Sequence, residues 1–429
     1  MAKLVGGIFP RLIALFPLLF PLYLFRGAFS GIPVTLPEVV LGVLFLFFLF
    51  QRYEFHARDW KLWPVFLFAS AAALGVLIVF IGGDSATPRM VDGTEFPAQM
   101  KALGILKGWI LAPLLYFFMA RTVFRDKASM IPLALRALLL SGVVLSLLAL
   151  QQVWTGEYLT LDGRASGPFE SANYLSLYLG PVVLYSVLAF KQSTKKRERV
   201  FLAASGAICV LGLYFTYSYA AWLALFAGLA LAVVLFFAGS PSVSGESLTR
   251  RFFCSSPSVS GKKKKVFWVT LGVLIVLGLG MVLSEIGSEK FTQFLEYSER
   301  SSTSVRLQVY GISLNLALQN PLPGIGLGQF EQQYQEVAVS VLGEAPFEWN
   351  MLHPHNIFLA FWLNMGLAGL VAFVWLCGKA LLWLTEEDTK ERPLAALMVV
   401  VILVHGLFDT PYFKNDLAFQ FWLLMAILL

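Results

Sequence analysis

Two histidines flank a proline in His353-Pro354-His355-Asn356, directly before a long apolar run. An imidazole with an ordinary pKa of about 6.5 takes a proton from a hydroxyl at neutral pH, which makes His355 a candidate general base. Asn356 is placed to cap the apolar run or to orient a neighbour. The plainer reading is a pair of interfacial histidines with no chemical role. Without a third ligand nearby in sequence, His353 and His355 make a weak zinc motif, and no metal is expected. Arg306 carries a planar fork suited to phosphate oxygens, in charge-assisted bonds of roughly 1.5–3 kcal/mol each; otherwise it is a solvated helix face. Lys107 interrupts an apolar run, where a mid-membrane cation costs on the order of 2.5–3.5 kcal/mol. It either snorkels or meets an anionic headgroup. Asp409, in His405-Gly406-Leu407-Phe408-Asp409, either balances a cation or ends a helix.

The elements that position these groups are apolar. The chain is 58% hydrophobic and 14% charged, with 38 Phe and 11 Trp. A soluble domain averages about one quarter charged residues. Runs near the 20-residue spanning length recur, giving about twelve predicted spans. They lie near 8–25, 36–51, 62–82, 104–120, 131–153, 171–190, 200–217, 219–239, 266–283, 356–384, 394–411 and 416–429. The expected fold is an all-α polytopic membrane bundle of about 12 transmembrane helices with a large, partly helical outer loop. No secretory cleavage pattern is visible, so the first span is expected to be retained. Cys209, Cys254 and Cys377 are scattered and suggest no disulfide framework.

Three regions follow. Residues 1–239 form an N-terminal bundle of about eight spans. Residues 240–265 form a cytoplasmic linker that twice reads Ser-Pro-Ser-Val-Ser-Gly and ends in Lys262 to Lys265. The lysines read best as a topological anchor, with anionic lipid as the other reading. Residues 266–429 form the C-terminal membrane region, with an outer loop at 284–355. With the N-terminus inside, Lys and Arg concentrate on the cytoplasmic side, notably at Lys191 to Arg199 and 250–265. Fewer lie outside: Arg26, Arg89, Lys101, Arg164, Lys290, Arg300, Arg306 and Lys414. The bias places the loop outside by the positive-inside rule. The net charge of +6 therefore reads as topology, not as nucleic-acid binding.

The outer loop is too long to be bare chain. Ser301 to Ser304 offer an N-cap, and Val305, Val309, Ile312 and Leu316 recur at helical spacing. Arg306, Tyr310 and Ser313 share another face. Asn320-Pro321 stops this helix. A second helix fits Gln329 to Leu342, with Phe330, Tyr334, Val337 and Val341 on one stripe and Gly343 as its stop. Between the helices, Pro323-Gly324-Ile325-Gly326-Leu327-Gly328 is a turn; it lacks the strand–helix context of a dinucleotide loop.

In this order the pieces resemble the O-antigen ligase/polymerase family of bacterial membrane glycosyltransferases. The matching residues are Arg306, Tyr310, Asn320 through Phe330, His353-Pro354-His355-Asn356, Leu359 and Gly366 to Leu370. Upstream, Gly163 to Phe169 with Asn173 is similar to a further family element. The resemblance implies transfer or polymerisation of a glycan from an isoprenyl-diphosphate carrier at the outer face of the cytoplasmic membrane. The acceptor is a glycan, a lipid or a protein. It implies no metal, nucleotide or other cofactor, with His355 and Arg306 as the catalytic pair. Arg164, Lys107, Tyr310, Tyr219, His353 and Asn356 are the candidate substrate-binding residues. Membrane lipids are the surrounding partners.

The chain departs from the family at Thr216-Tyr217-Ser218-Tyr219, where Tyr219 stands in the place of an expected arginine. Tyrosine supplies no permanent charge. Arg164 or Lys107 compensates, the donor differs, or the protein is a catalytically impaired binder of lipid-linked glycans. A transporter is the rival from another class, but no inverted repeat is visible. The topology is open to direct test. In a background without native cysteines, Ser258→Cys is expected to react with an impermeant maleimide only after permeabilisation, and Ser288→Cys in intact cells. Labelling of Ser258→Cys from outside reverses the orientation.

Overall fold

The computed structural model describes residues 2–29, 32–50, 62–82, 89–91, 94–160, 162–238, 302–384 and 390–429. The 240–265 linker, the span near 266–283 and the loop before residue 302 lie outside the described residues.

The chain is mostly helical. In order, the helices are α1 (Ala2–Leu15), α2 (Leu36–Leu49), α3 (Trp63–Ile81), α4 (Ala98–Ile105), α5 (Ala112–Asp126), α6 (Ile131–Thr155), α7 (Ala172–Gln192), α8 (Lys196–Tyr214), α9 (Tyr219–Ala238), α10 (Ser302–Gln319), α11 (Phe330–Leu342), α12 (Ile357–Leu382), α13 (Glu391–His405) and α14 (Asn415–Leu428). Two small antiparallel ribbons depart from the all-α expectation: β1 (Arg26–Phe29) with β2 (Ile32–Thr35), and β3 (Arg89–Val91) with β4 (Thr94–Phe96). Each is a short connection between helices, where paired extended chain satisfies backbone groups that no helix covers.

Five segments are long and apolar enough to cross a membrane: Trp63–Ile81, Ala98–Asp126, Ala128–Thr155, Ala172–Gln192 and Ile357–Leu382. The other described apolar helices are shorter, so five spans stand where about twelve were expected. The shortness has visible causes. The first apolar run divides into α1 and a 3₁₀ segment, Phe16–Leu24, that carries Pro17 and Pro21. A π-helical stretch, Leu106–Leu111, joins α4 to α5 and leaves Ala98–Asp126 long enough to span. The last helix, α14, is buried from Asp416 to Leu428 and packs within the bundle.

Both expected loop helices are present. Val309, Ile312 and Leu316 of α10 pack with Phe330, Tyr334 and Ala338 of α11 and with Leu363 of α12. Gly343 ends α11 in the left-handed region at φ 76°. The 344–352 strap is stitched to both helices. Tyr334 Oη donates to the Glu348 carbonyl at 3.0 Å, and the Phe347 N–H donates to Gln308 Oε1 at 3.1 Å. The strap thus delivers His353 beside α10.

The turn between α10 and α11 enters the bundle. The Ile325 N–H donates to the Leu363 carbonyl at 2.8 Å and the Leu327 N–H to the Gly75 carbonyl at 3.2 Å. The Gly328 N–H donates to Asn364 Oδ1 at 2.8 Å. At 1.5 Å per residue, these contacts lie about 10 Å inside the ends of α3 and α12. There α12 is kinked at Gly366, with φ 67° and ψ −173°, and the Leu367 N–H donates to the Leu322 carbonyl at 3.2 Å. A Cβ on Gly366 would stand 2.0 Å from the Leu322 carbonyl oxygen, and one on Gly324 2.5 Å from that of Leu363. Both obstacles are backbone. Gly324→Ala and Gly366→Ala are therefore expected to cost more than about 2 kcal/mol each, read as a fall in melting temperature of the purified protein. Gly311→Ala, where an added Cβ meets nothing within 4 Å, is expected to hold or raise it.

Candidate functional site

His353, His355 and Asp409 are brought together by the strap and by the turn after α13. Asn356 caps α12, its Oδ1 accepting from the N–H groups of Phe358 and Leu359 at 3.0 and 3.1 Å. Its Nδ2 donates to the Leu407 carbonyl at 3.3 Å. The Ile357 N–H donates to the Gly406 carbonyl at 2.7 Å. The capping and orienting roles of Asn356 are therefore both realised. The Tyr310 hydroxyl lies 2.7 Å from the Leu407 carbonyl oxygen and 3.0 Å from that of His355, and its single proton serves both. Tyr310 is one helical turn beyond Arg306, so this contact sets α10 against the histidine loop. His355 itself has φ 49°, a conformation rare outside glycine and one that functional loops hold at a cost.

Asp409 is 3% exposed. Its Oδ1 accepts from the Thr410 N–H at 2.8 Å and stands 3.8 Å from His353 Nδ1 and 3.7 Å from His355 Nδ1. The two imidazole rings are edge to face, 4.4 Å apart. Both Nδ1 atoms are buried without a hydrogen-bond partner among the described residues. Burial pushes the Asp409 carboxyl up, but the imidazoles of His355, His353 and His405 outweigh it and hold Asp409 below the usual carboxylate range. Burial lowers His353 to about 4, helped by His355, Lys414 and Arg306 and opposed by Asp409. Burial raises the Tyr310 phenol to about 12.

The expectation of no third metal ligand is corrected here, because the fold places Asp409 against both histidines. The ligand atoms of His353, His355 and Asp409 lie within 4.8 Å of one another, a set able by type to hold a transition metal. The surrounding charge points the other way. Arg306 and Lys414 both lower the affinity of the His353 imidazole for a proton, and so add positive potential at this ligand set. That field suits an anionic ligand better than a dication.

The remaining candidates separate. Arg306 Nε is buried with no hydrogen-bond partner among the described residues. Lys107 is taken up elsewhere: it pairs with Glu38 at 3.0 Å and donates to the Pro33 carbonyl. Arg164 pairs with Asp162 at 2.5 Å and donates to Asn173 Oδ1 at 3.2 Å and the Thr216 carbonyl at 3.3 Å. It clamps the 160–170 loop to the turn before α9. Tyr219 is 41% exposed at the start of α9. Sequence reasoning left out Tyr174 and gave Lys414 no role beyond topology. The Tyr174 ring lies 6.2 Å from that of His353, and Lys414 Nζ lies 3.4 Å from the Tyr174 ring centre. The available signal for Lys414 was a lysine directly before an apolar run.

Residues 204–374 match a family model described as O-antigen ligase. This match supports the likeness to the O-antigen ligase family. No curated protein matches the chain. The matched region holds Arg306, Tyr310, His353 and His355 of the candidate site; Asp409 and Lys414 come from beyond it, and Tyr174 from before it. The charge state of the site is checked by pH. A histidine unfolds to an ordinary value of 6.5 and is held near 4 when folded, so between these limits the unfolded chain binds more protons and stability rises with pH. Acidification from pH 6.5 towards 4 is expected to lower the melting temperature, and His353→Gln to flatten that fall. An unchanged slope in His353→Gln overturns the assignment.

Proposed function

We propose that this protein is a member of the O-antigen ligase family and transfers or polymerises a glycan from an isoprenyl-diphosphate carrier at the outer face of the cytoplasmic membrane. The observation that carries the reading is the Tyr310 contact. It joins the helix bearing Arg306, whose Nε has no partner among the described residues, to the backbone of the candidate base, His355. The acceptor hydroxyl oxygen forms the new bond to the anomeric carbon as the bond to the diphosphate breaks. The hydroxyl proton passes to His355, and the diphosphate leaves with the bonding electrons. Asp409 faces His355 Nδ1, which favours the tautomer that leaves Nε2 open to the acceptor. Arg306 stabilises the charge growing on the leaving group, the task that fixed cations perform without a metal.

The test is transfer by purified protein from a lipid-diphosphate-linked glycan, with melting checked for each variant. His355→Ala is expected to lose about 10²–10⁴-fold. Arg306→Lys, which keeps charge but not the fork, is expected to lose much of the activity. The double variant Arg306→Ala/His355→Ala should be barely worse than the more damaging single change. Activity is expected to survive EDTA. Near-wild-type transfer by well-folded His355→Ala, or loss in EDTA restored by Mg²⁺, would sink this mechanism.

A further inference from the structure

If the site receives a diphosphate, Arg306 is one cation for two phosphoryl groups. Tyr219 supplies no charge, and the two expected substitutes are committed: Lys107 to Glu38 and Arg164 to Asp162. Lys414 is different. Its ammonium sits 3.4 Å from the ring centre of Tyr174 and 5.7 Å from that of Phe169. It makes no ion pair or hydrogen bond with any described residue. A ring face attracts a cation but accepts little of its hydrogen-bonding capacity, and an ammonium has three N–H donors.

The charged groups around Lys414 are few. Asp416 and Glu170 draw on its charge and Arg26 opposes it, none in ion-pair contact. Asp416 is 1% exposed, while Glu170 faces outward. On its other side Tyr174 leads to His353, whose imidazole also feels Arg306. Lys414 and Arg306 therefore flank the histidine loop from two elements that meet only in the folded chain. An oxyanion between them would find donors from both.

We propose that Lys414 is the second cation of the diphosphate subsite, held by Tyr174 and replacing the arginine that Tyr219 displaces. The proposal rests on the glycosyl-transfer reading. It assigns Arg306 and Lys414 to the two phosphoryl groups of one lipid diphosphate and leaves Arg164 a structural clamp.

The experiment measures binding of isoprenyl diphosphate and isoprenyl monophosphate to the full chain in nanodiscs, beside the KM for the glycan donor. Wild type is expected to prefer the diphosphate by about ten-fold or more, in line with a charge-assisted contact. Lys414→Gln should erase most of that preference and raise donor KM by a similar factor. Lys414→Arg should keep it. Lys414→Met, whose stem packs on Tyr174 as lysine does, and Tyr174→Leu, which frees the ammonium, keep the test open if Lys414→Gln does not fold. Both should narrow the preference. A folded Lys414→Gln or Lys414→Met with wild-type preference overturns the proposal. So does an equal effect on binding of phosphatidylglycerol, which would make Lys414 a headgroup contact. Wild type that neither prefers the diphosphate nor transfers glycan would instead overturn the glycosyl-transfer reading, and the proposal with it.

Discussion

The site depends on a place where backbone touches backbone. The Pro321–Gly328 turn lies against Gly75 of α3 and the kink of α12 so closely that side chains at Gly75, Gly324 or Gly366 would overlap carbonyl oxygens. Hydrogen bonds from Ile325, Leu327 and Gly328 fill the acceptors that the kink and the two helices expose. Asn364, a polar residue inside an apolar helix, is satisfied by the Gly328 N–H and by the Ala360 carbonyl. An unpaired amide at that depth would cost several kcal/mol, so the loop and the helix specify each other. Because α10 and α11 pack side by side from this turn, it fixes where Arg306 and Tyr310 stand relative to His355.

On that frame the electrostatics follow one logic. Asp409 is a buried carboxylate, and a buried charge survives only among partners. It finds them in the imidazoles of His353, His355 and His405. Burial keeps His353 neutral, with His355, Lys414 and Arg306 adding to it. On the proposed mechanism the acceptor's proton goes to His355, and Arg306 and Lys414 receive the negative charge. The same cluster explains why Tyr310 and Asn356 spend their hydrogen bonds on the turn between Gly406 and Asp409: a carboxylate at this point must be held still.

Much of this was legible because it is local. The apolar spacing of Val309, Ile312 and Leu316, the stop at Asn320-Pro321 and the stop at Gly343 are written in short stretches, and α10 and α11 follow them. Lys414 was not legible as a site residue, and Asp409 was legible only as one of two readings, since their meeting with His353 joins segments far apart in sequence. In the one-dimensional chain, Lys414 looks like a topological charge, and Asp409 like a counter-charge to a cation or a helix end. The expected count of spans is not confirmed among the described residues. Hydropathy marks an apolar run but not a proline-rich 3₁₀ segment such as Phe16–Leu24 inside it. Likewise, the committed state of Lys107 and Arg164 depends on Glu38 and Asp162, whose side chains only the folded chain brings to bear.

The turn of the chain at Lys414 also bears on why a tyrosine is tolerated at position 219. Three helices begin around the histidine loop: α7 just before Tyr174, α12 at Asn356 and α14 at Asn415. Each start carries roughly half a positive charge from its aligned peptide dipoles. Those of α12 and α7 are partly spent on the Asn356 and Ser171 caps, while α14 begins without a side-chain cap, next to Lys414. A site so arranged does not depend on a cation at any one helix start. On the proposed glycosyl transfer, what it requires is enough fixed positive potential to meet a leaving diphosphate, and that potential can be supplied from α14 as well as from α9. The aromatic ring under Lys414 makes this exchange feasible, because it holds the ammonium in place without neutralising it as a carboxylate would.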